Sequence, residues 1–258
     1  MIKGSFDILG NIAIVKFPLN AKANEKKLFA KKLFKENNSI KTVLEKIGKF
    51  KGRLRKMQTR FVAGEKTKEV LYKENGCIFR FNVDETYFSP RLSNERKEIA
   101  KKIKKGDKVL VMFAGVSPYS IIIAKLSGTK VVYSNEINKK ANDYAKLNIE
   151  LNKLKDKIIL MPGDIKKVAE RMDEKFDVIV MPRPQLKDTF LEEAFKLSKK
   201  KTRIYYYDFC KEDEINSIVE RVKMEAKEFG KKIKILNVKK AGDIAPYRYR
   251  IRIDFMII

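Results

Sequence analysis

The sequence of 258 residues contains no histidine and no tryptophan. The lack of imidazole removes Ser-His-Asp hydrolysis, histidine-ligated metals and imidazole general bases together. Acid–base work therefore falls to carboxylates, lysine, tyrosine or cysteine. Cysteine is scarce as well: Cys77 and Cys210 are the two present, and neither sits in a CxxC pair. Two residues make no disulfide framework; they leave either one bridge or two buried thiols, the latter favoured in a reducing compartment. No apolar run reaches the ~20 residues of a membrane span. The start, MIKGSFDILG, lacks the charged, apolar and small-residue regions of a signal peptide. These absences predict a cytoplasmic protein with no membrane partner, and the sequence shows no metal-ligand spacing; the chain is expected to be monomeric.

Acidic residues are also in deficit. Lys and Arg number 59 against 33 Asp and Glu, a formal net charge of +26. Such a field attracts polyanions and speeds their capture. Solvated helix faces in a lysine-rich protein would give the same total, but the distribution is uneven. Residues 21–60 hold fourteen Lys or Arg, from Lys22 to Arg60, and three acids, Glu25, Glu36 and Glu45. That stretch has the electrostatic footprint of a nucleic-acid contact.

From about residue 105 onward, short apolar runs alternate with amphipathic patterns. KVLVMFA, KVVYSN, KIILMP, FDVIVMP and TRIYYYDF read as buried parallel strands, with SPYSIIIAKL, NKKANDYAKLNIELNKL, DIKKVAERM and QLKDTFLEEAFKLS as helices between them. The alternation predicts a doubly wound, Rossmann-like α/β sheet. At the end, EINSIVERVKMEAKEFG reads as a helix, followed by KIKILNVKKAG and YRYRIRIDFMII as a hairpin. This places an antiparallel strand at the sheet edge. Residues 1–90 differ. A hairpin centred on Gly10-Asn11, the amphipathic NEKKLFAKKLFKEN and the strand candidates KTVLEKI, RFVAGEKTKEVLY and CIFRFNV predict a small α+β module. The expected domains are thus 1–90 and 91–258, joined at the helix LSNERKEIAKKIKK with Ser93 as its N-cap.

The stretch KVLVMFAGVSPYSI, Lys108 to Ile121, runs from strand through a glycine turn into a helix, where such folds grip nucleotide-like cofactors. Gly115 lets the backbone approach a ligand, and Glu136, 21 positions on, sits where an acid accepts ribose hydroxyls. Asp164 in MPGDI is placed to hydrogen-bond an adenine amine. Glycine, acid and Asp at successive strand ends suit S-adenosylmethionine better than NAD, which needs a pyrophosphate cradle. Acids at strand ends also serve as plain helix caps.

YFSPRLSNERKEIA followed by MFAGVSPYSI resembles the archaeal and eukaryotic tRNA (guanine-37-N1)-methyltransferase family, and the likeness extends over nearly the whole chain. SFDILGNIAIVKF, KGRLRKMQTRFVAGE, ENGCIFRFNVDETYFSPRL and YRYRIRIDF match in order and spacing. Many members carry an additional N-terminal domain that reads the tRNA elbow, and this sequence starts at the domain after it. The resemblance implies an S-adenosylmethionine-dependent enzyme acting on the anticodon loop of tRNA. It implies Glu95 as general base, with Arg55 stabilising charge on guanine O6. Tyr87, Arg91, Arg96, Arg183 and Pro184 would contact the target nucleotide. Phe113, Ala114, Gly115, Val116, Glu136, Ile137, Asp164, Met181 and Pro182 would hold the cofactor. Taken without the resemblance, Glu95 is an acid in a helix's first turn and Arg55 one charge in a basic run.

Three positions depart from the family pattern. Val111 stands where members carry Asp, and Ser117 replaces a loop glycine, adding a side chain where the cofactor comes close. MPRPQ, Met181 to Gln185, replaces the Asn-Leu-Pro or Asn-Pro-Pro-Tyr motif, so the motif's amide becomes Pro182. The departures keep two other readings open: a wybutosine-pathway step on modified guanine 37 (C-methylation or aminocarboxypropyl transfer), or a catalytically weak RNA-binding module.

Overall fold

The computed structural model describes residues 5–48, 52, 54 and 57–258. The chain divides into two compact units, Met1–Pro90 and Arg91–Ile258.

In the first unit, β1 (Ser5–Leu9) and β2 (Ile12–Lys16) form an antiparallel hairpin through Gly10 and Asn11. Gly10 has φ +56°, and a Cβ there would lie 1.9 Å from the Leu71 carbonyl oxygen, so only glycine fits. Helix α1 (Ala23–Glu36) crosses over to β3 (Thr42–Lys46), which runs parallel to β2, and β4 (Thr59–Gly64) closes the sheet. Ala30 and Leu33 of the helix bury against Ala13, Val15 and Val43 of the sheet. A separate hairpin, β5 (Glu69–Glu74) with β6 (Cys77–Asn82), follows.

RFVAGEKTKEVLY is therefore two strands in two sheets rather than one. The break falls at Gly64, whose φ of +92° and close approach to the Lys41 carbonyl turn the chain away. Asn11 ties the hairpins together: its Oδ1 accepts from the Leu71 amide at 2.8 Å and its Nδ2 donates to the Glu69 carbonyl at 3.2 Å.

The second unit is a seven-stranded sheet in a doubly wound α/β arrangement. It begins with α2 (Ser93–Lys102), entered through a 3₁₀ turn over Pro90–Leu92. Ser93 is inside the helix and Leu92 occupies the cap position, because the turn already sets helical geometry before the serine is reached. There follow β7 (Lys108–Val111), α3 (Pro118–Leu126), β8 (Val131–Glu136), α4 (Lys139–Leu151), β9 (Ile158–Pro162), α5 (Ile165–Glu170), β10 (Phe176–Met181), α6 (Leu191–Lys196), β11 (Ser198–Cys210), α7 (Ile215–Glu228), β12 (Ile233–Ala245) and β13 (Arg248–Ile257). The strand order is β12-β13-β11-β10-β7-β8-β9.

β10 and β8 both flank β7 in parallel, so the order reverses there and opens a crevice at the strands' C-terminal ends. The antiparallel strand is β13, and it does not lie at the edge as the sequence pattern suggests. It inserts between β11 and β12, leaving β12 outermost. The side chains account for this: Ile251 to Phe255 are buried on both faces, whereas β12 alternates with exposed Leu236 and Val238. Cys77 and Cys210 are buried free thiols in different units. No helix among the described residues is long and apolar enough to cross a membrane.

Candidate active site

The loop after β7 is built from residues that alternate into the left-handed region: Phe113 at φ 58°, Gly115 at 59° and Ser117 at 65°. An aromatic residue there is strained, typically by one to three kcal/mol in order of magnitude, and such strain persists only where surroundings impose it. The Phe113 ring packs edge-on against Phe190 at 4.9 Å. The Ala114 amide donates to the Asn135 carbonyl at 2.8 Å, and Asn148 Nδ2 donates to the Val116 carbonyl at 3.2 Å.

Glu136, at the end of β8, closes this loop from the other side. Its Oε2 accepts from the Gly115 amide and its Oε1 from the Asn138 amide, both at 2.7 Å. Beside it Ile137 is 37% exposed, an apolar side chain left outside the core next to an acid. Asp164 caps α5, accepting from the Lys166 amide at 3.2 Å. Asn135 Nδ2 donates to the Met161 and Gly163 carbonyls at 2.8 and 3.1 Å, holding the loops after β8 and β9 in one frame. Three strand ends thus present a glycine turn, an acid and a capping Asp along one edge of the sheet. Ala114, Val116 and Met181 are buried, so their side chains serve the core and only their backbone is available to a ligand.

Ser117 differs from expectation. Its side chain turns inward: it is wholly buried, its Oγ lies 2.8 Å from Ser134 Oγ, and Ser134 Oγ accepts from Ser120 at 2.8 Å. Inward bonding to β8 explains how a serine keeps the left-handed conformation of the glycine it replaces. Val111 is buried within the sheet, paired with Val180 and Ser134.

Glu95 lies in the first turn of α2 and is buried. Its Oε1 accepts from the Tyr207 hydroxyl at 2.7 Å and pairs with Arg252 Nη1, while Oε2 faces Lys239 Nζ at 3.3 Å. Arg252 is entirely enclosed and also binds Glu98 at 2.7 Å and Asp254. Burial alone would lower the Arg252 pKa, but the Asp254 and Glu98 hydrogen bonds and the surrounding negative charge hold it well above the usual arginine value. Burial also pushes the Tyr207 hydroxyl well above its ordinary range, so it stays a donor to Glu95.

Arg183 is not free to meet a target base. It is 3% exposed, pairs with Asp208 Oδ1 at 2.7 Å, and donates from Nη1 to the carbonyls of Leu186 and Asp188 at 3.1 and 2.9 Å. Its guanidinium staples the segment after β10 to β11. That staple, with Asp188 Oδ1 accepting from the Phe190 amide at 2.9 Å, also delays α6 to Leu191 where the sequence pattern starts it near Gln185.

Arg96 is buried too, with its guanidinium 5.9 Å from the centre of the Tyr119 ring. One residue along a helix turns the side chain about 100°, so Glu95 meets the sheet while Arg96 meets α3. Pro182 and Pro184 are half-buried, Arg91 is exposed, and Tyr87 is half-buried in the first unit. Arg55 lies outside the described residues.

Comparison with known proteins fixes the family. The TRM5/TYW2 methyltransferase domain matches residues 70–236, and the TYW2 N-terminal domain matches residues 1–67. The chain belongs to the TRM5/TYW2 methyltransferase family. Relatives include the tRNA (guanine(37)-N(1))-methyltransferase Trm5b of Pyrococcus abyssi, 35% identical over 98% of this chain and 74% of the relative. The tRNA (guanine(37)-N(1))/4-demethylwyosine(37)-methyltransferase Taw22 of Nanoarchaeum equitans is 32% identical over 98% of this chain and 100% of the relative. The crystal structure of wild-type Trm5b from Pyrococcus abyssi has a TM-score of 0.86 at 34% identity, covering 98% of this chain and 74% of that one. The complex of aTrm5 with tRNALeu has a TM-score of 0.85 at 28% identity, covering 100% and 73%.

In this TRM5/TYW2 family member, sequence reasoning had no hold on the partners of Glu95. Tyr207, Lys239 and Arg252 come from the three strands at one side of the sheet, far from the FSPRLSNER string. A local signal is Arg252 with Asp254, two charges alternating with Ile251, Ile253 and Phe255.

Proposed function

We propose that this TRM5/TYW2 family member transfers a methyl group from S-adenosylmethionine to N1 of guanine 37 in the anticodon loop of tRNA. The observation that carries the reading is Glu95, buried at the head of α2 and held by Tyr207, Arg252 and Lys239, in the same unit as the Gly115–Glu136 loop. The names of the Trm5b relatives support guanine 37 as the target nucleotide.

The residues present fit the cofactor. The left-handed turn at Gly115 exposes backbone, Glu136 offers acceptor oxygens for a ribose diol, Ile137 offers an apolar face for adenine and Asp164 an acceptor for its amine. S-adenosylmethionine, when bound, supplies an electrophilic methyl group. The chain's own residues do the remainder. N1 of guanine carries a proton and is a poor nucleophile, so a base must take that proton, and Glu95 is assigned this role. Negative charge then grows on O6 and calls for a positioned cation; Arg55 is assigned to it by family resemblance. Tyr87 and Arg91 are assigned to the extruded nucleotide, because a stacked base hides N1.

A second reading, methylation of 4-demethylwyosine at the same position, is favoured by one observation. The side-chain amide of the family motif is replaced by Pro182, and the neighbouring Arg183 is paired inward with Asp208. The test uses labelled S-adenosylmethionine and two tRNA transcripts that differ only in guanine or adenine at position 37. Label recovered as N1-methylguanosine from the guanine transcript alone is expected. Label entering only a tRNA that carries 4-demethylwyosine would move the assignment to the second reading, and no label in any of the three would overturn both.

A further inference from the structure

Glu95 sits in a cluster where Glu95, Glu98 and Asp254 face Arg252, Lys239 and Lys102. The two oxygens of Glu95 are treated differently. Oε1 is taken by Tyr207 and Arg252, and both donors are 0% exposed with no route to another position. Arg252 is further fixed by Glu98 and Asp254, so it cannot leave without stranding a buried charge, a loss of several kcal/mol in order of magnitude. Oε2 has Lys239 Nζ at 3.3 Å, outside ideal hydrogen-bond length. Lys239 is on the outermost strand β12 with its side chain 32% exposed, and its ammonium already donates to Glu98 Oε2 at 2.6 Å. Of the three donors around Glu95, Lys239 is therefore the one that can withdraw: it has a second carboxylate to hold it and solvent to receive it.

We propose that Lys239 is a positioning residue that gates the general base: Tyr207 and Arg252 saturate Oε1, and Oε2, covered by Lys239 until its ammonium shifts wholly to Glu98, is the oxygen that receives the substrate proton. This rests on the reading of Glu95 as the base. In the step, the N1–H bond breaks and an O–H bond forms on Oε2. The electron pair stays on the nitrogen, which would use it to take the methyl group as the sulfonium S–CH3 bond breaks and its pair returns to sulfur, leaving S-adenosylhomocysteine; Lys239 remains an ammonium throughout. The gate solves a conflict: a carboxylate clamped by two cations on both oxygens is a poor proton acceptor, whereas one clamped on a single oxygen is oriented and still able to accept. Other charged or titratable groups around it are Glu98, Arg96 and Lys102 on its own helix, Tyr119 on α3 behind Tyr207, and Asp254 on β13 behind Arg252.

The test measures turnover against pH under single-turnover conditions for the wild type, Lys239→Met, Lys239→Arg and Glu95→Gln. In Lys239→Met the low-pH limb of turnover is expected to move toward higher pH, a loss of roughly tenfold on the acid side. Lys239→Arg is expected to restore the limb. A merely structural lysine would leave the limb in place, so a Lys239→Met profile that superimposes on the wild type overturns the gate. Glu95→Gln separates the two levels: loss of turnover with an unmoved Lys239→Met limb removes the gate alone, and wild-type turnover in Glu95→Gln removes the base assignment itself. Tyr207→Phe is a second variant, removing one clamp from Oε1 while leaving Lys239. It is expected to lower plateau turnover while leaving the KM for tRNA unchanged, and unaltered turnover would count against a pinned Oε1.

Discussion

Arg183 and Asp208 form an ion pair at 2.7 Å with side-chain exposures of 3% and 6%. Asp208 also receives the Tyr206 hydroxyl at 2.8 Å and pairs with Arg221. Removing one member of a buried pair leaves an uncompensated charge and costs on the order of 3–5 kcal/mol. Arg183→Leu is expected near the lower end of that range, about 3 kcal/mol, because Arg221 remains beside Asp208. Denaturant unfolding checks this. A loss below about 1 kcal/mol, the worth of a surface pair, would mean that Arg183 is not the staple of the segment after β10.

Glu136 couples the cofactor loop to β8 through the Gly115 amide, and its assigned partners in the bound state are ribose hydroxyls. Glu136→Ala removes hydrogen bonds to a charged acceptor, worth roughly 1.5–3 kcal/mol. Affinity for S-adenosylmethionine is expected to fall by about 10- to 100-fold, measured by calorimetry, with tRNA affinity at fixed salt unchanged. Equal cofactor affinity in the variant would make Glu136 a loop brace only.

The strands and most helices of the second unit were legible in the sequence because their apolar runs and amphipathic periods are long and uninterrupted. What failed did so for identifiable reasons. The antiparallel strand was expected at the edge because order within a sheet is decided by non-local pairing, and only the burial of Ile251 to Phe255 on both faces reveals that β13 is interior. The early start of α6 was expected from a good amphipathic pattern, yet Arg183 claims the carbonyls of Leu186 and Asp188 that a helix would need. Ser117 was expected to crowd the cofactor because a sequence does not say which way a left-handed side chain turns. The placement of Gly115, Glu136 and Asp164 at successive strand ends was legible from spacing, since such ends in a parallel sheet share one edge. The partners of Glu95 were not, because they come from residues more than 110 positions away.

Ser117 therefore gives a prediction opposite to the one its position suggests. If its side chain obstructed the cofactor, Ser117→Gly would tighten binding. With Oγ turned inward to Ser134, the substitution trades relief of left-handed strain, about 1–2 kcal/mol, against a lost hydrogen bond of about 1 kcal/mol and added freedom in the unfolded chain. Thermal stability is expected to change by less than about 1 kcal/mol, and cofactor affinity by less than about threefold. A tenfold gain in affinity would restore the obstructing role.

Glu98 links the cluster around Arg252 to acid stability. Burial would raise its carboxyl, but hydrogen bonds from Lys239 and Arg252 and their charges outweigh this and lower it from 4.5 to about 2. A carboxyl depressed on folding contributes stability above its unfolded value. That contribution is lost as pH falls from 4.5 toward 2. The side chain is 38% exposed, so solvent screening reduces the contribution to about 1 kcal/mol. Glu98→Gln is expected to be less stable than the wild type by about that amount at pH 7, with the gap closing between pH 4.5 and 2 because both side chains are then neutral. Denaturant unfolding at a series of pH values reads the gap directly, and a constant difference down to pH 2 would show that Glu98 acts through packing and not through its charge.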